Sequence, residues 1–174
     1  ASHGPLHRVT FGSGYLRESV MECFIENEQH YPVLLPMRYR EGLEQMAHVR
    51  LHNGTIWRWN RPLIGFDYDG TPHLRIEHRV VPAGPTVADM IANAAFYFGL
   101  LQVLMTQDIP PEQLLPFAAA RDNFYNAAHR GLGTHVTWLE GRRSTVRTLI
   151  LDELLALARA GLTLLEIDRD DIDR

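Results

Sequence analysis

The spacing of apolar and polar residues predicts helices around one well-marked β-hairpin. Two segments rich in β-branched and aromatic residues, "TIWRWNRPLIGFD" (55–67) and "PHLRIEHRVV" (72–81), flank the turn signal Asp69-Gly70. Apolar residues recur at helical spacing in three other segments, which cover 18–28, 41–49 and 144–160. We therefore predict an α+β fold, in which an antiparallel hairpin or sheet has helices packed on one face.

Capping signals and prolines place further elements along the chain. "TVAD" after Pro85 is a capping box, so a long helix should begin at Thr86. Another helix should start at Pro110-Pro111, restart near Pro116 and end at Gly131. The remaining predictions are a small hairpin over 134–144, a last helix that stops at Gly161, and a solvated tail over 166–174.

The size of the chain suits one domain. With 174 residues and no internal repeat or evident linker, 1–174 is predicted to be a single domain that can bury a core without staples. The lone Cys23 cannot form an internal disulfide, and the first residues do not show the pattern of a secretory signal. We expect a cytoplasmic protein.

Charge and hydropathy narrow the classes of partner. All 17 cationic residues are arginines, the net charge is -4, and no basic stripe is present, which argues against nucleic-acid binding. The segment 90–107 is uncharged and nearly long enough to span a bilayer, but it contains Asn93, Gln102 and Thr106 and has no basic flank. We expect a helix buried at the centre of a soluble domain, and no membrane partner.

The hairpin carries the candidate chemistry. If Asp69-Gly70 centres the turn, residues whose numbers sum to 139 face each other, as a two-residue turn requires. One face then carries polar and charged side chains, namely Arg58, Asn60, Arg75, Glu77 and Arg79. The other face carries an apolar set for the helix from Thr86 to cover, namely Trp57, Trp59, Leu63, Leu74, Ile76 and Val80.

The polar face has two interpretations. A glutamate between two arginines on an exposed strand face is an ordinary salt-bridge ladder. The same set also describes a site for nucleotide phosphates and a metal, because a carboxylate binds hard cations and guanidinium groups match phosphate. The spacing does not choose between them.

Longer motifs resemble a known family. The runs "GTIWRWNRPLIG", "LRIEHRVVPAGPTVADMIANAAFYFGL", "NFYNAAHRGLGTHVTW" and "LILDELLALARAGL" resemble the carboxyl-terminal part of the glutamate-cysteine ligase family, in its bacterial carboxylate-amine ligase branch. The resemblance extends from about Thr55 to Ala160. It implies a glutamine-synthetase-like fold. It also implies ATP and Mg²⁺ as cofactors, γ-glutamyl phosphate as intermediate, and cysteine or another amine as the attacking substrate.

The resemblance implies roles for individual residues. Glu77 matches the family's metal-binding strand glutamate, and Arg79 matches the arginine that contacts the transferring phosphate. Arg58 and Asn60 are expected to bind substrate or nucleotide, and the predicted register favours them over Arg61. Arg75 is expected either to do the same or to form an outer salt bridge. Asn123 and Arg130 match family positions to which no chemistry is assigned, and capping or packing is the simpler interpretation.

The chain also departs from the family pattern. Family enzymes are longer, and their amino-terminal half supplies further metal-binding glutamates and much of the nucleotide pocket. We therefore expect this chain to be the carboxyl-terminal portion of a longer ligase, inactive alone and able to self-associate through an exposed edge. The alternative is a non-catalytic binding or interaction module that retains the ligase-like fold.

Overall fold

The computed structural model describes residues 7–40 and 42–174. It is α+β, as predicted, with small sheets and many helices. The described residues form two compact units, which divide between Pro82 and Ala83 and are called here the amino-terminal and carboxyl-terminal units. The sequence predicts one domain. The division into two units does not test this prediction, because one domain can contain two compact units.

The amino-terminal unit contains two helices and four strands. In chain order these are β1 (Val9–Thr10), α1 (Met21–His30), α2 (Ala47–Gly54), β2 (Trp57–Arg58), β3 (Asn60–Phe66) and β4 (Pro72–His78), with a 3₁₀ turn at Leu43–Gln45. The predicted helix over 41–49 begins at Glu41, which lies outside the described residues, and α2 extends beyond the predicted end to Gly54. Strands β1 and β2 pair in parallel, whereas β3 and β4 form the predicted antiparallel hairpin.

The hairpin loop is longer than predicted, and this changes the register. The amide of Gly70 donates to the carbonyl of Asp67 (2.9 Å), and Asp67 N–H donates to Thr71 O (2.9 Å), which leaves three residues in the loop. Gly70 has φ of 86°, the left-handed position that ends this type of loop. Residue numbers across the strands therefore sum to 138, and Glu77 lies opposite Arg61.

A one-residue slip exchanges the faces that the sequence analysis assigned. Glu77 and Arg75 share a face with Arg61 and Leu63, whereas Asn60 lies opposite His78 on the other face. The predicted apolar face is not a core either, because Leu74 and Ile76 are 56% and 54% exposed. Buried positions of this unit include Ile56 and Phe24, together with the polar residues Asn27, Asn53, Arg58 and Arg61.

The carboxyl-terminal unit is mainly helical. Its elements are α3 (Val87–Met105), α4 (Pro111–Leu114), α5 (Phe117–Arg130), β5 (His135–Thr137), β6 (Arg143–Thr145), α6 (Val146–Leu149), a π-helical turn (Ile150–Leu154), α7 (Leu155–Leu164) and α8 (Arg169–Asp173). Thr86 and Asp89 form the predicted capping box of α3. The restart at Pro116, the cap at Gly131 and the hairpin of β5 and β6 are also confirmed.

The core of this unit explains the π turn. Val136, Leu149 and Leu154 form its buried centre. In a regular α-helix, residues five apart point about 140° away from each other. The wider turn at Ile150–Leu154 lets Leu149 and Leu154 face the same core, and α7 continues on that side with buried Ala158.

One prediction about burial in this unit is wrong. The helix over 90–107 is predicted to be buried, but Gly99 is the buried residue of α3, all of which the structure describes. By length and composition alone, α3 could cross a bilayer. The tail over 166–174 is solvated, as predicted, and it contains a short helix, because Asp168 caps α8 and Arg159 pairs with Asp173.

Helices α3 and α7 approach closely at two glycines. A Cβ built at Gly161 would lie 1.8 Å from Gly99 O, and one built at Gly99 would lie 2.2 Å from Ala158 O. This contact explains why Gly161, which was predicted to end the last helix, lies inside α7. Tertiary packing outweighs the poor helix propensity of glycine here.

We predict that Gly161→Ala destabilises the protein by about 1 to 3 kcal/mol, because overpacking outweighs the gain of about 1 kcal/mol in helix propensity. Gly133→Ala is the matched control, since a Cβ at Gly133 meets nothing within 4 Å. Urea unfolding measures both variants. Equal stability of the two would contradict the close helix contact.

Candidate functional site

Three charged side chains converge at one end of the hairpin. Arg61 lies on β3, Glu77 lies on β4, and Arg79 follows β4 directly. These three residues are called the arginine–glutamate cluster. Glu77 Oε2 accepts from Arg61 Nη2 at 2.7 Å, from Arg61 Nε at 3.1 Å and from Arg79 Nη1 at 2.9 Å. One carboxylate oxygen therefore fixes two guanidinium groups.

The residues of the cluster differ in their solvent exposure. Arg61 is buried at 8% exposure, and its Nη1 also donates to the carbonyls of Gly54 (3.3 Å) and Ile56 (3.4 Å). Glu77 is more accessible, with 34% of its side chain exposed. A buried guanidinium is tolerated only when it is paired and its donors are satisfied, and Arg61 meets that condition through Glu77 and the two carbonyls.

Arg79 is held on three sides. Its guanidinium carbon lies 3.4 Å from the centre of the Trp57 ring, a close cation–π contact. Its backbone amide donates to Trp59 O at 2.8 Å, and Nη1 binds Glu77. Among the described residues, no hydrogen bond engages Arg79 Nε or Nη2. Trp57, which was predicted to lie in a core, is 39% exposed and forms the platform for Arg79.

The free oxygen of Glu77 completes the site. No described residue donates a hydrogen bond to Glu77 Oε1, in contrast to the three bonds at Oε2. Two positive charges beside one negative charge leave the cluster net positive. The cluster thus combines a charge that attracts anions with one carboxylate oxygen that is available to a cation or a hydrogen-bond donor.

The same arrangement changes the ionisation of Glu77. Burial raises the pKa of this carboxyl, but the hydrogen bonds and charges of Arg79 and Arg61 lower it by more, so the net pKa lies below its ordinary value. Glu77 is therefore ionised at neutral pH.

Arg58 and Asn60 lie away from the cluster contacts. Arg58 is 4% exposed, pairs with Glu26 and donates to Asn27 Oδ1 at 2.6 Å. Asn27 continues this buried polar network to Asn53, whose amide donates to Pro62 O at 2.8 Å. Asn60 Oδ1 is 2.7 Å from His78 Nδ1 on the opposite face of the hairpin. The binding roles of both residues stay predictions.

Arg75 shares the strand face of Glu77 but is exposed. Its Nη1 lies 3.1 Å from His73 Nε2, and His73 Nδ1 lies 3.2 Å from Asp67 Oδ1. No described carboxylate pairs with Arg75, so the predicted outer salt bridge is absent from the described part of the chain.

Asn123 and Arg130, for which the resemblance implied no chemistry, belong to α5 in the carboxyl-terminal unit. Asn123 holds the backbone of Thr137 at both ends: its amide donates to Thr137 O (2.5 Å), and its carbonyl accepts from Thr137 N–H (2.9 Å). Arg130 is the exposed last residue of α5, where a positive charge interacts favourably with the negative end of the helix dipole. Both placements agree with the packing and capping interpretation.

The described residues do not form a complete magnesium site. No group of three His, Cys, Asp or Glu side chains occurs among them. Mg²⁺ requires near-octahedral oxygen coordination, and Glu77 Oε1 could supply only one of those oxygens. A resident ion would need its other ligands from a substrate or from outside residues 7–40 and 42–174.

Arg61 belongs to the arginine–glutamate cluster, although the predicted register placed it on the other face. The assumed two-residue turn set the register one position away and favoured Arg58 and Asn60. The signal was present in "DYDGT", since glycine at the third position of a three-residue loop indicates a type I turn with a left-handed third residue.

Comparisons with protein-family models, with curated proteins and with solved structures gave no match for this chain.

We predict that Arg61→Met lowers the free energy of unfolding by about 2 to 4 kcal/mol, because Glu77 loses a buried partner and two carbonyls lose their donor. Arg75→Met removes an exposed arginine from the same face and should change stability by about 0.5 kcal/mol or less. Chemical unfolding compares the two variants. Similar losses in both would contradict a structural role for the buried guanidinium.

We also predict that Glu77 contributes to acid sensitivity. Its folded pKa lies below the unfolded value, so its stabilisation is present above the unfolded pKa of about 4.3 and is lost as pH falls through the folded pKa. Glu77→Gln should flatten this part of the curve of stability against pH, as measured by unfolding between about pH 3 and pH 7. An unchanged slope would show that the carboxyl titrates alike in both states.

Proposed function

We propose that this chain is the carboxyl-terminal portion of an ATP-dependent carboxylate-amine ligase of the glutamate-cysteine type, with a glutamine-synthetase-like fold. The observation that carries the proposal is the arginine–glutamate cluster, in which Glu77 and Arg79 of the "IEHR" motif meet on one strand face. The motifs that resemble the ligase family support the same class.

The reaction requires positive charge beside the phosphoryl group that is transferred, because negative charge is concentrated on its oxygens. A γ-carboxylate oxygen of glutamate attacks the terminal phosphorus of ATP, and the bond from that phosphorus to the bridging oxygen breaks to release ADP. The amine of cysteine, or another amine, then attacks the acyl carbon, loses a proton and expels phosphate. Positioning and electrostatics dominate phosphoryl transfer. In this proposal, the free edge of Arg79 binds the transferring phosphoryl oxygens.

The solvent exposure and placement of Arg75, Arg58 and Asn60 decide which of them could bind a substrate. Arg75 presents an exposed guanidinium two residues from Glu77 on the same strand face, so it is the best placed of the remaining candidates to bind a substrate carboxylate. Arg58 would first have to leave Glu26 and Asn27. Asn60 would have to act from the opposite face of the hairpin, beside His78.

Mg²⁺ enters the proposal as the ion that accompanies ATP. Glu77 is its one protein ligand among the described residues, and the other ligands would come from outside them. The proposal therefore assigns nucleotide binding, rather than turnover, to the chain alone. It also assigns a cytoplasmic location and no membrane or nucleic-acid partner, with homo-oligomerisation as a possible way to cover apolar surface.

A specific observation favours a second function, an interaction module that retains the ligase-like fold. Glu77 is already neutralised by two arginines, and several large apolar side chains of α3, including Val87, Ile91 and Met105, are more than 60% exposed. Exposed apolar surface of this kind is typical of interaction sites. Under this interpretation, the cluster stabilises the hairpin and binds no nucleotide.

Calorimetric titration with a non-hydrolysable ATP analogue and Mg²⁺ tests the ligase proposal. A few charge-assisted phosphate contacts should give a Kd of about 0.1 to 1 mM. Arg79→Lys should weaken binding about tenfold, because an ammonium cannot provide the planar fork of a guanidinium. Arg121→Lys, on an exposed arginine of the other unit, is the control and should bind as the unsubstituted chain does.

At about 10 mM analogue, even a binding free energy of about 4 kcal/mol would give detectable binding. Absence of binding at this concentration would reject the ligase proposal and favour the interaction module. Binding that Arg79→Lys and Arg121→Lys weaken equally would place the nucleotide elsewhere.

A further inference from the structure

We propose that Arg61 is the positioning residue of the arginine–glutamate cluster: it fixes Glu77 Oε2, so that Glu77 presents Oε1 and holds Arg79 for an anionic ligand. The effect of Arg61 on ligand binding rests on the proposed function. The effect of Arg61 on the Glu77 carboxylate does not, and it can be tested without nucleotide.

The bonding pattern at Glu77 gives Arg61 its role. Two of the three hydrogen bonds to Oε2 come from Arg61, through Nε and Nη2, and they join β3 to β4 where Arg61 and Glu77 pair. A glutamate side chain that lacked such a restraint would exchange between rotamers and present either oxygen. Two donors at one oxygen define which oxygen remains available.

The backbone holds Arg61 in turn. Its Nη1 points to the carbonyls of Gly54 and Ile56, where α2 leads into β2, and its side chain is 9% exposed. The guanidinium plane therefore connects three chain segments. Lysine could keep the charge there, but its single ammonium could not bind both carbonyls and also donate two hydrogen bonds to Glu77 Oε2.

Arg79 depends on the same chain of contacts. Its aromatic platform, Trp57, restrains the guanidinium plane from one face but leaves it free to slide over the ring. The bond from Arg79 Nη1 to Glu77 Oε2 restrains this sliding and uses one of the three guanidinium nitrogens. Because Arg61 and Arg79 share one oxygen, displacement of the carboxylate displaces Arg79 as well.

The first test follows the Glu77 carboxyl directly. In protein labelled with ¹³C at the glutamate carboxyls, Glu77 is assigned by the signal that Glu77→Gln removes, and its pH titration is compared among variants. Arg61→Met should raise the titration midpoint of Glu77, and Arg75→Met should not. Arg61→Lys keeps the charge and serves as a second variant if Arg61→Met does not fold; it should raise the midpoint by less and broaden the signal.

If Arg61 did not hold Glu77 in the folded protein, its removal would lower stability but leave the titration of Glu77 unchanged, because Arg79 alone would bind the carboxylate. Unchanged midpoint and linewidth in the folded Arg61 variants would overturn the proposal. An equal rise in Arg75→Met would also overturn it, since it would show an effect of charge at a distance rather than a specific contact.

The second test asks whether Arg61 acts on nucleotide through Glu77. Arg61→Lys should weaken binding of the ATP analogue about tenfold in the natural sequence, a loss of about 1.4 kcal/mol, and less than about twofold in the Glu77→Gln background. Equal weakening in both backgrounds would overturn the positioning role. If the unsubstituted chain binds no nucleotide, the proposed function fails, and the carboxyl titration decides the role of Arg61 alone.

Discussion

The contact between Arg61 and Glu77 is the interaction on which the hairpin and its candidate chemistry depend. A guanidinium at 8% exposure would be strongly destabilising without a partner, and its nearest carboxylate lies directly across the strand pair. The register that places them together is also the register of the three-residue loop ending at Gly70. Turn geometry and ion pairing therefore select the same alignment, and a slip by one residue would lose both.

Charge is used differently inside the amino-terminal unit and at its surface. Arg58 and Arg61 are both buried, and each is matched by one glutamate and by backbone or amide oxygens. Arg79 shares the glutamate of Arg61, so its charge is incompletely compensated. The excess positive charge thus appears at the accessible end of the cluster, where an anion can approach. Arginine suits both settings because its fork can be satisfied by several partners in one plane.

Local signals in the sequence predicted several helices and the hairpins, because capping and turn formation depend on residues that are neighbours along the chain. The capping box at Thr86, the helix restart at Pro116 and the hairpin flanking Asp69-Gly70 all follow from local chemistry. The register, and with it Arg61, depended on loop length, where Gly70 could occupy either of two turn types. Gly161 and the π turn depended on packing between distant segments, which periodicity along one helix does not report. Strand alternation singled out Glu77 and Arg79, and the resemblance implied their roles, but their contacts with Trp57 and Arg61 needed the folded chain.

The side-chain ¹⁵N–¹H spectrum of the arginines, recorded while an ATP analogue is added, is the most direct test of an anion site at the arginine–glutamate cluster. The Nε–H signal of Arg79 should move most and saturate with the analogue, while that of Arg61 should change little because it stays bound to Glu77. The signal of Arg58 should not move, since Glu26 and Asn27 hold it. Movement of Arg58 without Arg79, or no arginine signal that responds, would contradict an anion site at the arginine–glutamate cluster.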